Sequence, residues 1–253
     1  MMTDPSPVPS GPARGRPDYG VDGWAYVVGL LVGGATGLGI GAALLGLVTE
    51  RWAHVLGLAL MGTGVIALVP GLLGLLYVRV GKFRHRDRLL AFVAWRGDER
   101  ALDIGTGGGL LLVGAARRSP AGIAFGVDIW AAEDLSDNTY ARALRNVDLE
   151  GVRDRVEIRS EDARALSFSA DSIDVVLSML CIHNIPTREG QDQALGEMVR
   201  VCKPGGSILV SDLAHTERYA VVFRALGLTV TVTGPFLDTF PPQRIVVARK
   251  PLA

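Results

Sequence analysis

The chain has 253 residues, room for one α/β domain plus an appendage, and its 26 basic and 26 acidic residues cancel to a formal net charge of zero. That balance excludes a chain-wide nucleic-acid footprint. Cys181 and Cys202 fall in different predicted elements without metal-ligand spacing, so they read as reduced thiols, and no metal centre is expected.

Residues 1–23 carry Pro5, Pro7, Pro9, Pro12 and Pro17 among scattered Gly and Ser, too little apolar area to offset chain entropy, and predict a disordered tail. Trp24 to Thr49 and Val55 to Val78 contain no charged residue, and each is long enough as a helix to cross a hydrocarbon core of about 30 Å. The polar connection Glu50–His54, with Trp52 as an interfacial aromatic, joins them, so residues 24–78 predict a transmembrane hairpin. Arg79, Lys82, Arg84, Arg86 and Arg88 follow the second span, whereas the connection holds one arginine offset by one glutamate. The positive-inside bias then places both termini and everything downstream in the cytoplasm, a multi-pass protein with two spans. The same cations suit anionic lipid headgroups, making membrane lipid an expected partner. Gly29, Gly33, Gly37 and Gly41 form a four-apart strip that lets another helix approach, with the second span as the expected partner and self-association as the alternative. Pro70 predicts a kink or local unwinding. Neither span holds an ionisable group, so the hairpin reads as an anchor and not a pore.

Residues 79–100 read as a basic juxtamembrane segment with a lead-in helix over Leu89–Trp95, and residues 101–253 as one domain. In it, Ala101–Ile104 predicts a buried strand that breaks into glycines and re-emerges as a helix from Leu110 to Arg117. Strands follow over Gly122–Asp128, Val156–Arg159, Ile173–Met179 and Ile208–Ser211, with helices over Asn138–Leu149, Gln191–Val201 and Glu217–Leu226. Pro204-Gly205-Gly206 predicts a turn. Thr229–Thr233 and Ile245–Ala248 are joined by a connection too short for a crossover helix. The alternation predicts a doubly wound, Rossmann-like seven-stranded sheet, six strands parallel and one antiparallel.

The glycine turn carries the chemistry. A strand turning into a helix N-terminus presents backbone N–H groups to a ligand. The dinucleotide fingerprint needs a small residue at position 110, where Leu110 stands. The turn instead reads D-x-G-x-G-x-G, from Asp103 through Gly105, Gly107 and Gly109. In these residues the sequence resembles the class I S-adenosylmethionine-dependent methyltransferases. Further matches follow in order: Gly126-Val127-Asp128, Glu161-Asp162-Ala163, Asp171 to Val176, and Glu197 to Gly206.

The resemblance implies S-adenosylmethionine as cofactor. It implies that Asp103, Gly105, Thr106, Gly107 and Gly109 wrap its amino-acid end and that Asp128 pairs with the ribose hydroxyls. Ile129, Asp162, Ala163 and Met179 would line the adenosine side. Transfer from a sulfonium needs chiefly orientation, and a base only where the acceptor must lose a proton. His183, leaving the fourth strand, is the candidate base, against the alternative that it merely packs beside the cofactor or bonds backbone. Cys181 reads as an apolar filler, Trp130 as an adenine flank or an edge cover, and Asp212 as a substrate-side acid or a helix cap. The expected function is a membrane-anchored methyltransferase acting on a small, apolar or lipid-like acceptor. A nicotinamide-dependent oxidoreductase and a catalytically idle membrane adaptor are the alternatives.

Overall fold

In a computed structural model of the chain, residues 15–21, 23–131 and 135–252 are described. Two long helices, α1 (Trp24–Leu47) and α2 (Arg51–Leu76), lie side by side. Both are long and apolar enough to cross a membrane by length and composition, and most of their surface is uncovered by protein. The connection between them is shorter than expected, because Arg51 to His54 already belong to α2. The helix runs unbroken through Pro70, and the irregularity comes later, as a π-helical turn over Tyr77–Gly81. From there α3 (Lys82–Leu90) continues into the α/β domain. It replaces the lead-in helix expected over Leu89–Trp95. Helicity ends at Leu90, whose carbonyl accepts from the Trp95 indole at 2.9 Å.

The glycine strip of α1 is only partly the one that packs. Gly37 and Gly41 face α2, and Gly34 joins them, whereas a side chain at Gly29 or Gly33 would meet open space. The reason is periodicity. Four-residue steps precess around a helix, whereas seven-residue steps stay nearly on one side. The contact accordingly uses Val27, Gly34 and Gly41 against Gly57, Gly64 and Gly71.

The sheet has the order β3-β2-β1-β4-β5-β7-β6, with β1 Arg100–Ile104, β2 Ile123–Asp128, β3 Val156–Ser160, β4 Ile173–Met179, β5 Cys202–Asp212, β6 Thr229–Phe236 and β7 Gln243–Arg249. Only β7 runs against its neighbours, matching the expected six-to-one arrangement. The Pro204-Gly205-Gly206 turn is an excursion inside β5. Ile173 pairs with Cys202 and Val175 already with Ser207, and Gly205 bulges out at φ +78° to donate to Lys250 O.

The central strands bury both faces, which is why they read as continuous apolar runs. On one face Leu102, Ile104, Val176 and Ile208 pack against α6 (Arg188–Val201) and α7 (Thr216–Ala225). On the other, Ala101, Val175, Leu177 and Leu209 meet α3, α4 (Leu110–Arg118) and α5 (Tyr140–Leu149). Thr139 and Thr187 cap α5 and α6 by accepting from Arg142 N and Gly190 N.

The tail expectation is corrected over residues 15–21, while residues 1–14 lie outside the described residues. Tyr19 is buried and its hydroxyl donates to Glu150 at 2.6 Å. Asn146 accepts from Asp18 N and returns a bond to Asp18 O. Five prolines and few apolar residues gave no sign that one tyrosine and a set of backbone groups would find partners more than a hundred residues away.

The root of the two-helix hairpin meets the domain at the C-terminal edge of the strands. Phe240, in the β6–β7 connection, touches Gly74 of α2, and Gln243, opening β7, donates to the Tyr77 hydroxyl at 2.8 Å. Gln243 also accepts from Ser211 at 3.0 Å, and Ser211 Oγ lies 2.6 Å from His85 Nε2. Burial and the nearby Arg88 cation push His85 down to about 4, so this buried chain runs through a neutral imidazole.

Candidate active site

Strand β1 ends in a turn with glycine at three positive-φ positions, 105, 107 and 109. Gly105 has φ +70°, and a Cβ there would lie 2.3 Å from Cys181 Sγ. Cys181 therefore packs directly on the bare backbone of the turn. Gly107 has φ +51° and donates its N–H to Asp128 Oδ2 at 2.8 Å. Gly105 and Thr106 both donate to Val127 O, which ties the turn to β2.

Asp103 sits beneath this turn, buried. Its Oδ2 accepts from Thr106 Oγ1 at 2.8 Å and Leu112 N at 3.0 Å, while Oδ1 is buried with no hydrogen-bond partner among the described residues. Burial, with a smaller push from Asp128, raises its carboxyl to about 7. An orphaned, buried carboxylate oxygen on a cleft wall calls for a cation.

One cleft gathers Asp103, Gly105, Thr106, Gly107, Asp128, Ile129, Asp162, Ala163 and Met179. Gly109 stands apart from it. At φ +84° it is the N-cap of α4 and donates to Thr106 O at 2.7 Å, so it shapes the turn from behind. Asp128 Oδ1 accepts from Trp130 N at 2.7 Å, and Asn138 reaches it at 3.4 Å. Asp162 is folded onto Arg164 at 2.6 Å, whose hydrogen bond holds its carboxyl below the usual range. Trp130 covers the sheet edge, its indole donating to Ser160 and its ring set edge-on to Tyr140.

His183 does not line the cleft, though Asn184 beside it does. Its Nδ1 lies 2.6 Å from Asp212 Oδ1, and its backbone N donates to Asp212 Oδ2 at 3.2 Å. Asp212 thus orients an imidazole and does not cap α7, whose N-cap is His215. The pairing arises because β4 and β5 are adjacent and parallel, which brings their ends together.

Two cleft residues read differently from the sequence, Lys82 as a cation facing lipid and Tyr19 as part of the tail. Lys82, the first residue of α3, is buried and donates to Tyr19 O at 3.1 Å and Gly20 O at 2.5 Å. Tyr19 lies against Gly108, so residues 15–21 form a strap across the glycine turn. Asn146 ties the strap to the turn by donating to both Asp18 O and Gly108 O.

A doubly wound sheet with an acid under a glycine turn and a second acid at the end of β2 defines an adenosine-type cofactor cleft. Residues 102–210 match the family model described as "Methyltransferase domain". The chain is 33% identical over 177 residues to phosphatidylethanolamine N-methyltransferase of Cereibacter sphaeroides, covering 66% of this chain and 80% of that protein. It is 28% identical to the ubiquinone/menaquinone biosynthesis C-methyltransferase of Geobacter sulfurreducens, over 52% of this chain and 48% of that one. Against several curated relatives the chain spans about half of their length or less. Among solved structures, a SAM-dependent methyltransferase of Aquifex aeolicus superposes with a TM-score of 0.53 at 16% identity, covering 65% of this chain and 88% of that one, a likeness of fold. The chain belongs to the class I S-adenosylmethionine-dependent methyltransferases. Its cofactor is S-adenosylmethionine, and the oxidoreductase alternative falls away.

Asp103 Oδ1 fits the cofactor's ammonium, and the bare backbone at Gly105 and Gly107 fits its close approach. Replacing Lys82 by methionine is expected to weaken cofactor binding roughly tenfold, the loss of about one charge-assisted hydrogen bond's worth of strap closure. Titration calorimetry checks this, with Lys82→Arg recovering most of the affinity. An unchanged Kd in Lys82→Met would show that the strap does not act on the cofactor.

Proposed function

We propose that this enzyme is anchored in a membrane by α1 and α2 and methylates an acceptor that resides in the bilayer. The observation carrying the proposal is directional. The hairpin leaves the domain at the C-terminal edge of the strands, the edge where the cofactor cleft opens and where ligands bind in open α/β sheets. An apolar acceptor held among lipids then meets the cleft without crossing water. The uncharged length of both helices and the arginines after α2 support two spans with both termini in the cytoplasm. One relative is named for a phospholipid and another for quinone biosynthesis, which agrees with such an acceptor.

When bound, the cofactor supplies a methyl group already activated for in-line displacement. The chain's own residues do the rest. Asp103 takes the ammonium, Asp128 the ribose hydroxyls, Ile129, Ala163 and Met179 the adenosine faces, and Asp162 the adenine amino group once it turns from Arg164. His183, held by Asp212 and next in sequence to the cleft-lining Asn184, is the base for an acceptor that reaches past Asn184 and must lose a proton.

The test uses the full chain in vesicles of extracted bacterial lipid with methyl-labelled cofactor. Label recovered in the organic-soluble fraction is the expected result, and its loss in Asp128→Ala ties it to the cleft. Label confined to water-soluble products would overturn the bilayer acceptor, and no transfer to any acceptor would favour the idle adaptor.

A further inference from the structure

We propose that the β6–β7 connection, Leu237–Pro242, is a third point of membrane contact, seated in the headgroup layer beside the root of the hairpin; this rests on reading α1 and α2 as spans. The contacts fix its height. A Cβ on Gly74 would lie 3.0 Å from Val27 of α1 and 3.5 Å from the Phe240 ring, so these three residues share one level. Around that level Trp24 and Tyr26 are exposed, and such amphipathic rings favour the boundary between hydrocarbon and water.

Leu237 is 82% exposed at the tip of the connection. A lone exposed leucine needs no explanation. This one sits on a segment pinned to the helix that leads out of the hairpin. The Asp238 carboxylate takes both arms of Arg88 at 3.0 and 2.6 Å, and its carbonyl lies so close to Gly81 that a Cβ there would be 2.7 Å away. Arg88 also covers the Phe236 ring at 4.3 Å. The tip is held rigidly outward and not left to fold back.

Charge and backbone chemistry name the occupant. Arg79 and Arg84 are exposed and pair with no acid among the described residues, whereas Arg86 and Arg88 are held by Asp87 and Asp238. Unpaired cations just outside a span match anionic headgroups. Pro241 and Pro242, both exposed, carry no N–H, so the segment brings few donors needing water into the interface. With the hairpin, the contact would hold the cleft at a fixed height and tilt above the lipid.

The experiment places the full chain, one copy per nanodisc, in phosphatidylcholine with phosphatidylglycerol and follows labelling by a membrane-impermeant maleimide. Single cysteines are introduced as Leu237→Cys, as Ile66→Cys in the exposed middle of α2, and as Leu226→Cys at the end of α7, on the opposite edge of the sheet. Background from Cys181 and Cys202 is subtracted using the parent chain. Leu237→Cys is expected to label roughly tenfold or more slowly than Leu226→Cys, as burial at the headgroup boundary requires. Equal rates for those two, with Ile66→Cys protected, would overturn the loop contact and leave the spans standing. Rapid labelling of Ile66→Cys would overturn the membrane reading and this proposal with it.

Discussion

Asp128→Ala is expected to raise the dissociation constant for S-adenosylmethionine by at least about 100-fold. Two charge-assisted hydrogen bonds to ribose hydroxyls, at roughly 1.5–3 kcal/mol each, would be lost, and each 1.4 kcal/mol is tenfold. The carboxylate has a second task. It holds Gly107 N at 2.8 Å and Trp130 N at 2.7 Å, so its removal also leaves the glycine turn unbraced. Asp128→Asn keeps one acceptor oxygen and the shape, and should fall between the alanine variant and the parent. Calorimetry on folded protein, checked by circular dichroism, measures both. Affinity within threefold of the parent in Asp128→Ala would remove Asp128 from the ribose site.

The parts of the site visible in the sequence are those whose chemistry is local. A strand end, four glycines and a helix start within nine residues can do little besides turn sharply, and Asp103 and Asp128 fall near the C-terminal ends of adjacent strands by the logic of the alternating pattern. The sheet was legible for the same reason, down to its single antiparallel strand. Lys82 was hidden because five basic residues after an apolar run have a sufficient local explanation, and only the fold shows one of them turned inward onto Tyr19. The strap was hidden behind prolines. His183 and Asp212, 29 positions apart, could be placed near the same sheet edge but not paired, since the pairing depends on the ends of two parallel strands. The glycine strip shows the opposite error. Its spacing was conspicuous, yet a four-residue step drifts around the helix, and the packed face follows a step of seven.

The acid under the turn should make cofactor binding depend on pH in a way that identifies it. Its carboxyl is raised to about 7 from an ordinary 3.8, mainly by burial. The folded chain therefore keeps this proton at pH values where the unfolded chain has lost it, and stability should fall as pH rises from about 4 to about 7, then level off. The span corresponds to about 4 kcal/mol in order of magnitude. Binding runs the other way. Pairing with the cofactor's ammonium requires the carboxylate, so below pH 7 the dissociation constant should climb about tenfold per pH unit. An α-amino group loses its own proton near pH 8. Affinity should thus peak between about pH 7 and 8, with the acid limb belonging to Asp103 and the alkaline limb to the ligand. Asp103→Asn separates them. The amide cannot titrate, so the acid limb should vanish while overall affinity drops, and the apo protein should gain stability above pH 7 because no charge is buried. Calorimetric titrations from pH 5 to 9 on both proteins decide the matter. A parent profile flat below pH 7 would mean that Asp103 is already ionised without the cofactor, and the buried, unpartnered Oδ1 would then need some other cation.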